Sequence, residues 1–212
     1  MEINNDFGWM SSTHEPLTKA VMELYMPGYV LELGSGLYST SILKQYDAKI
    51  ISVETNLEWL NYVKENINSD IIFHPLGDYN INNHVTELSK EEKRDIILFY
   101  EGIELPDIKP NLLFVDQFLA GRILSINNIG NKFDLIICHD SEPETRVYYG
   151  YDLIDIKGYN TYYLSTPFTW ASVMIKKRID KGIRLLNRII KLHIENYAVK
   201  YPYIQWMKLI KK

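Results

Sequence analysis

The chain has 212 residues, of which 46% are hydrophobic and 24% charged, with a net charge of −4 and a single cysteine. This is ordinary globular usage with enough apolar side chains for a sizeable core, and it excludes a disordered chain, a fibrous repeat and a disulfide-built scaffold. No segment approaches the ~20 apolar residues of a membrane span, and the opening residues Met1 to Asp6 lack the basic and apolar runs of a secretion leader, so a cytoplasmic protein is expected. One domain is expected, with core elements over residues 12–176 and a basic tail over 177–212.

Taken in chain order, Ser12-Thr13-His14-Glu15-Pro16 reads as a helix start with proline in the first turn. Leu17, Val21, Leu24 and Tyr25 supply its apolar face, and Pro27-Gly28 ends it. Val30, Leu31 and Leu33 then form a buried strand that runs into Gly34-Ser35-Gly36. The two glycines permit a sharp turn and close approach of a ligand to the backbone. Ser39, Thr40 and Ser41 are placed to cap the following helix, whose start would offer unpaired N–H donors. Glu32 stands two residues before the bend. A dinucleotide fingerprint needs a third glycine where this chain has Ser39, which weakens the reading of an NAD-dependent oxidoreductase.

Lys49 to Glu54 reads as a second short strand, ending in an acid 22 residues after Glu32 and followed by the helical spacing of Leu57, Leu60, Val63 and Ile67. An acid at this strand end can accept hydrogen bonds from both hydroxyls of a ribose; the alternative for Glu54 is a solvent-facing acid favoured by a helix N-terminus. Ile71 to His74 is a third strand, leading to Asp78 in a Gly-Asp turn. Ser89 and Glu92 make a capping box ahead of a helix through Ile96, Ile97 and Phe99. Two further apolar strands end in Asp116 and Asp140, so Glu54, Asp78, Asp116 and Asp140 all fall at strand ends, where an open parallel sheet forms its ligand crevice. Cys138 lies inside the fifth strand and reads as an inert buried thiol.

Beyond Asp140 a tyrosine-rich stretch leads to two expected strands near 159–165 and 169–176. Eleven of the 23 basic residues fall in 176–212, against Asp180 and Glu195 alone, so the tail is strongly positive and the remainder acidic. Ile179, Ile183, Leu186, Ile190, Ile194 and Tyr197 recur at helical spacing, which predicts a basic amphipathic helix. It either packs on its own acidic domain or a second subunit, or contacts nucleic acid or an anionic membrane.

The string Glu32-Leu33-Gly34-Ser35-Gly36 resembles the first motif of the class I S-adenosylmethionine-dependent methyltransferases. The resemblance extends over residues 12–176. It implies a Rossmann-like, doubly wound, mostly parallel seven-stranded sheet with a C-terminal antiparallel hairpin, to which this chain adds its basic helix. It also implies S-adenosylmethionine as cofactor, held by Glu32, Gly34, Ser35, Gly36, Glu54, Asp78 and Asp116, with Asp78 meeting the adenine amino group. Phe114-Val115-Asp116, Gly121-Arg122 and Ile137-Cys138-His139-Asp140 resemble members with Val-Asp-Gly and His-Asp strand ends, some acting on sugars or small hydroxyl compounds, although Gln117 stands for the usual glycine.

Asp116, His139 and Asp140 are the catalytic candidates, since an oxygen acceptor must lose its proton or have its charge stabilised. Asp116 and Asp140 also match the metal-binding acids of catechol-type O-methyltransferases. Ser141 stands where those continue with Asn, so no metal site is assigned, and magnesium or calcium would be the ion if one were held. No Asn-Pro-Pro-Tyr-like string follows the fourth strand, which lowers nucleic-acid amines as substrates. The expected activity is therefore O-methylation of a small molecule or glycan. The alternative is a catalytically silent scaffold that docks a partner through its basic helix.

Overall fold

The computed structural model describes residues 14–67, 70–75, 82–141, 143, 146–165, 170–196 and 208–211. Its centre is one eight-stranded sheet in the order β3-β2-β1-β4-β5-β7-β6-β8. The strands are β1 (Tyr29–Leu33), β2 (Lys49–Glu54), β3 (Ile71–Phe73), β4 (Asn111–Val115), β5 (Leu135–His139), β6 (Tyr159–Ser165), β7 (Trp170–Lys176) and β8 (Lys208–Lys211). β1 to β5 are parallel; β7 runs antiparallel to β5 and β6, and β8 antiparallel to β6. This is a Rossmann-like doubly wound sheet, with one strand more than the expected seven.

β1, β4 and β5 are buried along their whole length because helices cover both faces, which is why they read as unbroken apolar runs. On one face, α1 (Glu15–Tyr25) and α6 (Gly182–Asn196) bury Leu17, Val21, Leu185 and Ile189 against Val30, Leu112, Phe114 and Ile137. On the other, α4 (Lys90–Glu101) and α5 (Leu119–Ile129) bury Ile96, Tyr100, Ile123 and Ile126 against Leu31, Leu33, Leu113 and Ile136. α2 (Ser39–Leu43) and α3 (Leu57–Ile67) complete the α-helices among the described residues. The order of strands reverses between β1 and β4, which stay paired to Leu33 and Val115, and the helices that follow them, α2 and α5, pack on opposite faces, so the crevice outside these two strand ends is the place where such sheets take ligands.

The α4 capping box is formed as read: the Glu92 amide donates to Ser89 Oγ at 3.1 Å, and the Ser89 amide donates to Glu92 Oε2 at 2.7 Å. The tail differs from its expectation. Instead of a helix over 177–212, a 3-10 turn (Lys177–Ile179) leads into α6, and β8 extends the sheet edge. The buried stripe of α6 is Leu185, Ile189 and Leu192, whereas Ile183 and Ile190 are exposed. Two apolar stripes with helical spacing coexist in that segment, and contact with α1 selects the one that the Ile179–Tyr197 spacing does not contain. Basic residues of the tail are tied to the domain: Arg188 pairs with Glu23, Arg178 with Asp134 at 2.6 Å, and Lys181 donates its ammonium to the Leu24 carbonyl and its amide to Tyr25 Oη at 2.9 Å.

Candidate active site

At the end of β1 the chain turns at Gly34, whose φ is +89°. A Cβ here would lie 2.0 Å from the Asp116 carbonyl oxygen, so only glycine lets the bend cross the end of β4. The bend is fixed on both sides: the Gly34 amide donates to Val53 O and the Asp116 amide to Leu33 O, each at 2.8 Å. One bend thereby joins β2, β1 and β4.

Glu32 is fully buried beside it. Its Oε2 accepts from Thr40 Oγ1 at 2.8 Å and from Ser52 Oγ at 2.5 Å, the Ser39 hydroxyl also lies against the carboxyl, and Oε1 makes no well-formed hydrogen bond. Burial pushes the carboxyl up to about 7, and the hydroxyl donors offset only part of that rise. Thr40, one of three candidate caps in the sequence, serves Glu32 instead, and its hydroxyl also accepts from the Gly36 amide at 3.1 Å. α2 is only five residues long and starts after Tyr38 without a side-chain cap.

Ser35 and Glu54 come together. The Ser35 hydroxyl donates to Glu54 Oε2 at 3.2 Å, and the Ser35 carbonyl accepts from Trp59 Nε1 at 2.7 Å. Glu54 Oε1 accepts the amides of Thr55 and Asn56 at 2.7 and 2.9 Å, ahead of α3. The same carboxylate thus serves the helix start and tethers it to the glycine bend. Asp78 lies outside the described residues.

Across the switch point, Asp116, His139 and Asp140 form one cluster, as their positions at the ends of β4 and β5 predict. His139 Nδ1 stands 3.2 Å from Asp116 Oδ2 and 3.4 Å from Asp140 Oδ1. Asp140 has φ +51°, in the left-handed region that aspartate tolerates better than most residues, and its carboxylate faces His139 Nδ1 and Arg122. Between the two acids sits Arg122 from α5. One terminal nitrogen donates to Asp116 Oδ1 at 2.9 Å and to Asp140 Oδ2 at 3.2 Å; the other donates to the His139 carbonyl at 3.0 Å and Tyr151 Oη at 3.2 Å; Nε donates to the Gln117 carbonyl at 2.7 Å. The guanidinium also lies 4.2 Å from the centre of the Tyr149 ring.

Burial alone would raise the Asp116 pKa, but attraction from His139 and Arg122 overcomes it and holds this carboxyl below the usual range. Burial likewise disfavours the His139 imidazolium, and here too the carboxylates win, raising its pKa. His14 on the N-terminal side of α1 is the counter-case. It packs edge-on to His139, with ring centres 4.9 Å apart, neither of its nitrogens has a partner, and burial brings it down to about 3. Cys138 is buried and pushed up to about 12, the inert thiol expected.

One oxygen or nitrogen from each of Asp116, His139 and Asp140 falls within 4.8 Å of the others, a donor set that could hold a cation. Arg122 already occupies an oxygen of each acid, so the protein's own guanidinium supplies the balancing charge, and the arrangement does not call for a metal. Sequence reading did not assign Arg122 or His14 to the site. The available signal for Arg122 was a lone charged residue in the run Leu119–Ile129, which must be paired if buried.

No family model matches the chain, and no curated protein sequence matches it. Among solved structures it is similar to an rRNA methylase from Streptococcus thermophilus, with 12% identity over 77% of this chain and 93% of that one and a TM-score of 0.49. It is also similar to a methyltransferase-like protein from Silicibacter pomeroyi (16%, 84% and 93%, 0.47) and to a TehB-like SAM-dependent methyltransferase from Corynebacterium glutamicum (10%, 76% and 88%, 0.43). At these identities and scores the functional reading stands on this chain's own residues.

Proposed function

We propose that the chain is an S-adenosylmethionine-dependent methyltransferase acting on an oxygen of a small molecule or glycan. The observation that carries this reading is the meeting of the Gly34 bend with Asp116 at the β1/β4 switch point, next to the buried Glu32 carboxyl, which among the described residues is met by hydroxyls and by no cation. A buried carboxylate with hydroxyl donors and no cation beside it suits an ammonium group, so Glu32 is assigned the amino acid end of the cofactor. Ser35 and Gly36 would border it, Glu54 would take the ribose hydroxyls, and Asp78 the adenine. Membership of all eight strands among the described residues in one sheet supports reading the chain as a single domain.

When bound, the cofactor supplies an electrophilic methyl group. The chain's own residues must orient the acceptor and accept its proton. His139 is the base in this reading; Asp116 and Asp140 stabilise the imidazolium that results, and Arg122 holds both acids in place. Because the His139 pKa is raised, its base form becomes populated only as the pH passes above the ordinary 6.5 of histidine. kcat/KM is therefore expected to rise through that range, and a rate independent of pH there would remove His139 as base.

A scaffold that docks through its basic helix is the weaker reading, since α6 spends Leu185, Ile189 and Leu192 on its own domain. Calorimetric titration with S-adenosylmethionine and S-adenosylhomocysteine separates the two. Micromolar binding of either supports the enzyme; no binding of both at high micromolar concentration contradicts it. Glu54→Ala is expected to weaken binding by about 2 kcal/mol, the scale of a hydrogen bond to a charged group. Unchanged affinity would remove the ribose role.

A further inference from the structure

A second feature borders the catalytic cluster and is not used by it. Under the tyrosine-rich segment, against the face of β6 and β7, lies a cavity of about 180 Å³. Ser141, Arg146, Tyr151, Tyr159, Tyr163 and Met174 are among its walls. Taking about 30 Å³ as the share of one water in the liquid, it has room for about six waters, or for a small anionic group on a short carbon stem.

Its polar atoms are unevenly satisfied. Tyr159 Oη donates to the carbonyls of Gly130 and Phe133, and Tyr151 Oη to the His139 carbonyl. Two other groups are left over. Ser141 is 2% exposed, and among the described residues its hydroxyl has no partner; Arg146 Nε is buried and has none there either. The Arg146 guanidinium is steered by the Tyr163 ring, 5.8 Å from its centre, and by a 3.4 Å hydrogen bond from a terminal nitrogen to the Tyr151 carbonyl. Among the described residues no acidic side chain lines the cavity. Buried donors without acceptors cost free energy in an empty site and are recovered when an acceptor arrives. An arginine fork with a neighbouring hydroxyl matches the oxygens of a phosphate or carboxylate.

We propose that this cavity is the subsite for an oxyanion, a phosphate or carboxylate group, carried by the acceptor molecule. Ser141 directly follows Asp140, and Tyr151 spans from the cavity wall to Arg122, so an acceptor anchored here lies beside the residues assigned to its deprotonation. The acceptor role rests on the methyltransferase reading; the anion site does not.

The test is titration calorimetry of the whole chain with phenyl phosphate and with benzoate, at fixed ionic strength and without cofactor. At least one probe is expected to bind, and the tighter of the two identifies the oxyanion. Arg146→Gln should weaken it about tenfold or more and Ser141→Ala about threefold, while Arg184→Gln on the exposed side of α6 leaves it unchanged. Arg146→Lys keeps the charge and loses the fork, and should fall between; with Ser141→Ala it carries the test if Arg146→Gln does not fold. Binding of neither probe, or equal binding by wild type and the cavity variants, overturns the proposal. Anion binding that depends on Arg146 in a protein that does not bind S-adenosylmethionine would keep the site and remove the acceptor role.

Discussion

Glu32 and Asp116 are carboxylic acids at the ends of neighbouring parallel strands, and burial pushes both toward the neutral form. They end in opposite states. Glu32 meets only hydroxyls, Thr40 and Ser52 among them, and rises to about 7. Asp116 meets Arg122 and His139 and is held below the ordinary carboxylate range. Hydroxyl donors can seat a buried carboxyl, but a neighbouring cation is needed to keep it charged. The two sides of the switch point are thereby suited to different work: one side can answer an arriving cation, whereas the other holds a permanent charge against which a proton can move.

The comparison breaks most severely if its cation is removed. Arg122→Met leaves two carboxylates beside a neutralised gap, and unfolding in urea should show a loss of about 3–5 kcal/mol, the scale of an uncompensated buried charge. A loss under about 1 kcal/mol would mean that Asp116 and Asp140 do not depend on it.

Glu32→Gln sharpens the other side. The raised pKa means that folding binds a proton that the unfolded chain gives up between its ordinary 4.5 and about 7. The stability tied to this group is complete below 4.5 and is lost as the pH rises through about 7. A glutamine keeps the hydroxyl contacts without ionising, so the variant should match wild type near pH 4.5 and exceed it above pH 7 by on the order of 2–3 kcal/mol. A constant difference across that range would contradict the assignment. The smallest change is Tyr151→Phe, which removes one hydroxyl between Arg122 and the His139 carbonyl and should cost about 1 kcal/mol in the same assay.

The sequence reveals most where the physical determinant is local. β1, β4 and β5 are apolar throughout because both faces are covered, and the Ser89/Glu92 box announces α4 within four residues. The strand-end positions of Asp116, His139 and Asp140 follow from the same pattern, so the cluster is legible once the strands are. Arg122 is not, because its value depends on acids 6 and 18 residues away that only the packing of α5 brings near. The tail departs from its sequence pattern for a related reason. β8 exists through pairing with β6, and the stripe buried by α6 is decided by α1 some 160 residues earlier.

The most direct test is a carbon-13 NMR titration of the side-chain carboxyls, without and with saturating S-adenosylhomocysteine. In the free protein Glu32 should titrate near 7 while Asp116 stays ionised to below its ordinary 3.8; the ligand's ammonium should then move Glu32 down and leave Asp116 ionised. Two carboxyls titrating alike near 4, or a Glu32 signal indifferent to the bound ligand, would contradict the account.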